Sequence, residues 1–131
     1  MPYAKLTLGL GVSVPSHAAI AESLTRLIAL ELEKRHELTS LSIESAGTKV
    51  WTIGGRVSDQ AAHLDVYVTA GTNSLEQKRR FISEAMKLLR AVMPGLPEAT
   101  HVIIHELPGE NWGYDGQTQQ DRATRRSAVA P

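Results

Sequence analysis

The chain has 131 residues, 42% of them hydrophobic, and its 14 basic residues balance 14 acidic ones. That size fits one compact domain with a modest core, and zero net charge gives no long-range field toward nucleic acid or an anionic membrane, so neither is expected as a partner. The absence of cysteine excludes disulfides, thiolate nucleophiles and thiolate metal sites, and no N-terminal apolar run is long enough for a signal peptide or a membrane span, so a cytoplasmic protein is the expectation.

Proline stands directly behind Met1. If Met1 is removed, Pro2 becomes an N-terminal secondary amine, which titrates close enough to neutrality for desolvation or a nearby cation to make it a working proton acceptor. Residues 3–10 then alternate, with Ala4, Leu6, Leu8 and Leu10 on one side, the period of a half-buried strand. Gly11 to Ser16 carries turn chemistry, and Pro15 suits the opening turn of a helix whose stripe is Ile20, Leu24, Leu27 and Ile28, ending near Arg35-His36. Thr39 to Ser45 predicts a second strand with Leu41 and Ile43 inward, followed by a glycine-punctuated segment from Gly47 to Gly55.

The pattern then restarts. His63 to Thr69 alternates as a strand. Asn73 followed by Glu76 resembles a capping box, and Ile82, Ala85, Leu89 and Val92 form the apolar stripe of a second helix that Pro94-Gly95 stops. Thr100 to Leu107 predicts a fourth strand with Val102 and Ile104 inward, leading into Pro108 to Gly116. From Thr118 onward the sequence is polar and small, and 118–131 is expected to be a C-terminal arm or flexible tail.

An offset of 60 or 61 positions sets Leu6 and Leu8 on Val66 and Val68, Trp51 on Trp112 and Gly55 on Gly116, so 1–117 reads as one domain of two repeats, 2–60 and 62–117. Each repeat is a strand, crossover helix, strand unit with parallel strands. Two of them predict an α+β fold, a four-stranded mixed sheet with both helices on one face. The other face, carrying Tyr3, Tyr67 and Ile103, is left for another subunit to cover.

Pro2 opening a strand, Ser74-Leu75-Glu76-Gln77-Lys78 opening the second helix, and the two segments ending in Trp51-Thr52-Ile53-Gly54-Gly55 and Trp112-Gly113-Tyr114-Asp115-Gly116 together resemble the tautomerase superfamily of 4-oxalocrotonate tautomerase and macrophage migration inhibitory factor. The doubled length is similar to fused members such as cis-3-chloroacrylic acid dehalogenase and malonate semialdehyde decarboxylase. The resemblance covers nearly the whole chain. It implies a homotrimer around a central barrel of sheets, no cofactor, and Pro2 as general base for keto–enol proton transfer on a small 2-oxo acid. The second repeat has Ala62 or His63, inside the chain, where the first has Pro2, so there is one such site per chain.

The resemblance also implies cations near the proline to hold a carboxylate and a developing enolate. Here the sequence departs from the family: Val12, Gly71 and Asn73 stand where family arginines are expected, His101 takes the place of a strand arginine, and Asn111 that of the water-activating acid of the dehalogenase. These departures favour tautomerisation over the alternatives, hydration, dehalogenation or decarboxylation of a small unsaturated or 3-oxo acid; a non-catalytic oligomeric binding protein of the same fold is the reading from another class. His101 reads equally as a pocket residue or a strand histidine at a subunit contact. Trp112 borders the expected pocket or pins its hairpin, and Asn73 caps a helix or bonds substrate. Arg26, Lys34, Arg35, Arg56, Arg79 and Arg80 read as solvated surface, with Arg56, beside the first hairpin, the choice for a carboxylate clamp from this or a neighbouring subunit. No metal is expected, because the histidines show no ligand spacing with nearby carboxylates.

Overall fold

The computed structural model describes residues 2–9, 12–47 and 50–129. In order, the chain runs through β1 (Tyr3–Leu8), α1 (His17–Leu32), a 3-10 turn (His36–Leu38), β2 (Ser40–Ser45), a hairpin of β3 (Thr52–Ile53) and β4 (Arg56–Val57), β5 (Ala62–Thr69), α2 (Leu75–Val92), β6 (His101–Leu107), a second hairpin of β7 (Gly113–Tyr114) and β8 (Gln117–Thr118), and α3 (Gln119–Val129). The four long strands form one sheet in the order β2-β1-β5-β6. The β1–β2 and β5–β6 pairs are parallel and the central β1–β5 pair is antiparallel, which is the mixed sheet expected of two fused units.

Strand alternation decides which face is covered. Ala4, Leu6 and Leu8 of β1 and Leu64, Val66 and Val68 of β5 are buried, and they meet Ile20, Leu24, Ile28 and Leu32 of α1 and Phe81, Ala85 and Leu89 of α2 in one core. Each of the buried Leu, Ile, Val and Phe side chains, moved out of water, contributes about 1.5–3 kcal/mol. Leu41, Ile43, Val102 and Ile104 of the edge strands pack against that core while staying partly buried. Leu10, expected inward on the first strand, lies outside the described residues. On α2 Ala85 and Leu89 are buried and Val92 packs against the core as expected, while Phe81 takes the place in the stripe expected of Ile82, which is 40% exposed.

That cap is Ser74, not Asn73. Its Oγ accepts from the Gln77 backbone N–H at 3.1 Å, and the Gln77 side chain accepts from the Ser74 N–H at 2.9 Å, a full capping box. Ser16 caps α1 by accepting from the Ala19 N–H, which leaves Pro15 just outside the helix. At its other end α1 stops at Leu32, before the expected Arg35-His36, because Glu33 takes a left-handed conformation with φ 53°. A non-glycine residue there is strained and re-aims the chain that follows.

The two short hairpins repeat the same design. Gly54-Gly55 and Asp115-Gly116 both have positive φ at the two central positions, the backbone of a type I′ turn. The Ser58 N–H donates to the Trp51 carbonyl and the Gln119 N–H to the Trp112 carbonyl, each at 2.9 Å, so the tryptophans hold equivalent places. Residues Gln119–Val129 are helical. The arm folds as α3, fixed mainly to its own hairpin: the Arg122 guanidinium lies 3.8 Å over the Tyr114 ring and donates to the Tyr114 carbonyl, while Arg125 donates to the Gln117 side chain. No helix among the described residues is long and apolar enough to cross a membrane.

The face opposite the helices is mixed rather than apolar. Tyr3 and Ile103 are each 37% exposed, and Tyr67 stacks on both Tyr3 and His105. Between them lie the Lys5–Glu44 ion pair and Asp65, whose carboxylate accepts from His105 Nε2 at 2.6 Å and His63 Nε2 at 3.1 Å. Burial alone would raise the Asp65 carboxyl, but the bonds from His105 and His63 outweigh it and hold it below its ordinary value.

Candidate active site

Strand direction sorts the connections between the two ends of the sheet. β2 is parallel to β1, so the 3-10 turn that precedes β2 lies where β1 begins, and the β3–β4 hairpin that follows β2 lies where β1 ends. β6 runs antiparallel to β1 through β5, so the β7–β8 hairpin and α3 lie where β1 begins. Pro2 therefore shares its end of the sheet with the last residues of α1, the loop after β5, the second hairpin and α3. Its carbonyl accepts from the Ser40 N–H at 3.2 Å, its side chain is fully buried, and one step back along the ladder it stands between Thr39 and Val68.

At this end a cavity of about 280 Å³ opens, lined on one side by Glu33, Lys34, Arg35 and Leu38, below by Thr69 and Thr72, and on the other by Tyr114, Gln119, Ala123 and Arg126. Leu38 and Thr69 are each the next residue beyond the pair that flanks Pro2, which puts Pro2 beneath the edge of the cavity rather than among its lining. The lining is basic, with three cations to one carboxylate. Lys34 is half-buried, and its ammonium donates to the neutral Thr72 hydroxyl at 2.8 Å. Burial pushes its pKa down, with Glu33 opposing in part. Arg35 is tethered by Glu37 at 2.7 Å, and its carbonyl accepts from the Thr39 hydroxyl. Arg126 makes no ion pair or hydrogen bond among the described residues. A half-buried ammonium hydrogen-bonded to a hydroxyl, in a lining with three cations to one carboxylate, is an arrangement that an anion would complete.

Of the residues singled out from sequence, Pro2, Asn73, Asn111 and Trp112 come to this end. Asn73 is turned to structure: its amide donates to the Leu32 carbonyl at 2.9 Å and to the Gln77 side chain, tying the end of α1 to the start of α2. Asn111 and Trp112 line the open concavity of the second hairpin, which shares Tyr114 with the cavity. The Trp112 indole N–H and Arg122 Nε are buried there with no acceptor. Within the chain, His101 and Arg56 lie at the opposite end: His101 pairs with His63, which pairs with Thr7, five residues or about 17 Å along β1 from Pro2. Both are exposed. Among the described residues no group of three or more His, Asp or Glu side chains is placed to hold a metal ion.

Lys34 was read as solvated surface, and the structure places it in the cavity. The sequence did carry a signal for this. A strand parallel to β1 must begin beside Pro2, so the charged residues just before that strand were the ones to examine.

Two strand-helix-strand units share one sheet, with a basic cavity at the end where the first strand begins, and solved fused 4-OT structures have the same fold. The family model for tautomerase enzymes matches residues 63–122, the second repeat. The whole chain is similar to a fused 4-OT solved as an asymmetric trimer (20% identity, TM-score 0.80, covering 92% of this chain and 98% of that one). It is also similar to a member of the cis-3-chloroacrylic acid dehalogenase family (20%, TM-score 0.75, 98% and 92%) and to a macrophage migration inhibitory factor-like protein from Entamoeba histolytica (20%, TM-score 0.69, 89% and 97%). No curated protein sequence matches the chain.

Proposed function

We propose that this chain, once Met1 is removed, is a cofactor-independent tautomerase acting on the enol of a small 2-oxo acid, with Pro2 as the general base. The observation that carries the reading is the basic cavity over the start of β1, where the Pro2 nitrogen becomes a free secondary amine. The cations that line the cavity at this end, Lys34 foremost, would favour the uncharged amine, which is the form that accepts a proton. The enol hydroxyl gives its proton to Pro2 nitrogen, the oxygen lone pair forms the carbonyl, and the adjacent carbon takes a proton back from the prolinium, so the amine is regenerated. Lys34 holds the substrate carboxylate and the charge that develops on oxygen.

The uncovered sheet face and the trimeric fused 4-OT relative support a homotrimer as the working unit. The test is ketonisation of phenylenolpyruvate by protein whose N-terminal mass shows Pro2 free, compared with Pro2→Ala. The loss expected is the roughly 10²–10⁴-fold worth of a general base. An undiminished rate in Pro2→Ala refutes the proline mechanism and turns the reading toward a binding protein. Likeness to the dehalogenase family makes 3-haloacrylate the second substrate to assay. Asn111, lacking a carboxylate, cannot act as a base there, so halide release without ketonisation would reverse the order of the two activities.

A further inference from the structure

The sheet face turned away from the helices carries a group of titratable side chains that the proposed chemistry does not use. His63 and Asp65 alternate with the core-facing Leu64 and Val66 of β5, and His101 and His105 with Val102 and Ile104 of β6, so all four share that face. The Asp65 side chain is 16% exposed and accepts from His105 Nε2 at 2.6 Å and from His63 Nε2 at 3.1 Å. The His101 ring lies 6.2 Å from that of His63. The other charged side chains on this face of the four long strands are Lys5 of β1 and Glu44 of β2, and they are paired with each other at 2.8 Å.

Histidine is the side chain that takes up a proton between neutral pH and about pH 5. While uncharged, His63 and His105 can each donate from Nε2 to Asp65, and the face then holds one cation against two carboxylates. Asp65 stays ionised as pH falls, because the two histidine bonds hold its carboxyl below the ordinary value. The phenols of Tyr3 and Tyr67, on the same face, ordinarily carry no charge in this range. Asp65 balances the first proton. Further protons, on its second histidine and on His101, find no free carboxylate, since Glu44 is held by Lys5, and the face ends with four cations against two carboxylates. Repulsion between copies grows with the square of the charge, so two excess positive charges on each repel about four times as strongly as the one excess negative charge at neutral pH. Tyr3 and Ile103, each 37% exposed, supply apolar contact on the same face, and the fused 4-OT relative is a trimer. We infer that each copy of the chain turns this face toward the other copies, and that His63, His101 and His105 make the assembly acid-labile, a trimer at neutral pH that separates into folded monomers toward about pH 5. This rests on the homotrimer proposed above, and not on Pro2 or the cavity.

The test is sedimentation equilibrium of the full-length protein between neutral pH and about pH 5, with far-UV circular dichroism at each pH. The wild-type protein is expected to be a trimer at neutral pH, and the concentration at which half of it dissociates should rise roughly tenfold or more at the acid end while the helical signal stays. The double variant His63→Gln, His105→Gln keeps side-chain amides that can donate to Asp65 and take up no proton. Its face reaches only two cations against two carboxylates, so it should remain trimeric at the acid end. Raising sodium chloride should likewise hold the wild-type trimer together there by screening the repulsion, a readout that stands even if the double variant does not fold. A wild-type trimer that persists unchanged at about pH 5, a dissociation that salt does not alter, or a double variant that dissociates as the wild type does, overturns the acid switch and leaves the homotrimer standing. A monomer at every pH refutes the homotrimer and this inference with it.

Discussion

Lys34→Met tests whether the half-buried ammonium is kept for a ligand. In the unliganded protein Lys34 gains little from its place: one bond to the Thr72 hydroxyl at 2.8 Å, worth about 1 kcal/mol, set against the desolvation of a charge. Methionine keeps the stem and removes the charge, so unfolding free energy should change by less than about 1 kcal/mol. Against a substrate carboxylate the same ammonium makes a charge-assisted bond worth about 1.5–3 kcal/mol, which is about 10- to 150-fold in kcat/KM. The measurements are urea unfolding and the kcat/KM of ketonisation across pH. Burial lowers the Lys34 pKa below its ordinary 10.5. Between the folded value and 10.5 the unfolded chain binds more protons, so the cost of Lys34 to stability is present at neutral pH and disappears as pH rises through that window. Substrate affinity should fall over the same rise as the cation is lost, and Lys34→Met should lack that alkaline limb. A variant with undiminished kcat/KM and an unchanged pH profile would refute the assignment.

Three further outcomes follow from the contacts around the site. Asn73→Ala removes donors to the Leu32 carbonyl and the Gln77 side chain and should cost about 1–2 kcal/mol in urea unfolding; a fall in kcat/KM at unchanged stability would instead give Asn73 a ligand role. Gly113→Ala sets a β-carbon against the Gln117 carbonyl, so the β7–β8 hairpin must open, and the kcat/KM of ketonisation should fall with it because Tyr114 leaves the cavity wall. The depressed Asp65 pKa adds stability that is full above the ordinary carboxyl value of 3.8 and fades as pH falls through the folded value, so Asp65→Asn should flatten the acid limb of stability measured by urea unfolding between neutral pH and about pH 3.

The four long strands, the parallel pairing within each unit and the covered face were legible because each rests on a period or an offset that one burial pattern enforces. Leu6 and Leu8 match Val66 and Val68 because both sets must face the same two helices. Features set by a single bond or angle were not. Asn73 and Ser74 are both good caps, and only the Gln77 side chain reaching back to Ser74 decides between them. The early end of α1 depends on the left-handed φ of Glu33, which no periodicity reveals. The C-terminal arm lacks an apolar stripe, so its composition gave no reason to expect a helix; its order comes from Arg122 and Arg125 gripping the hairpin before it. Lys34 was hidden for a related reason, since a charged run after a helix reads as solvent-facing until topology places it over Pro2.

The second half differs at the positions that match the cavity's first wall. The positions equivalent to Glu33, Lys34 and Arg35 at the end of α2 are Met93, Pro94 and Gly95. Met93 and the nearby Leu96 are 2% and 5% exposed, and a β-carbon on Gly95 would press on the Gln60 side chain, so this loop packs against the core where Glu33, Lys34 and Arg35 line an open cavity. The chain position matching Pro2 falls at Ala62 or His63, where an internal amide nitrogen cannot take up a proton. A cationic pocket there would carry the cost of desolvated charge with no base to use it. Of the two loops compared, then, the charged one lies at the end of the sheet where a nitrogen can become free, and α3 lies at that end too. Both asymmetries point to the same end of the sheet, by routes as unrelated as the core packing of α2 and the polar inner stripe of a terminal helix.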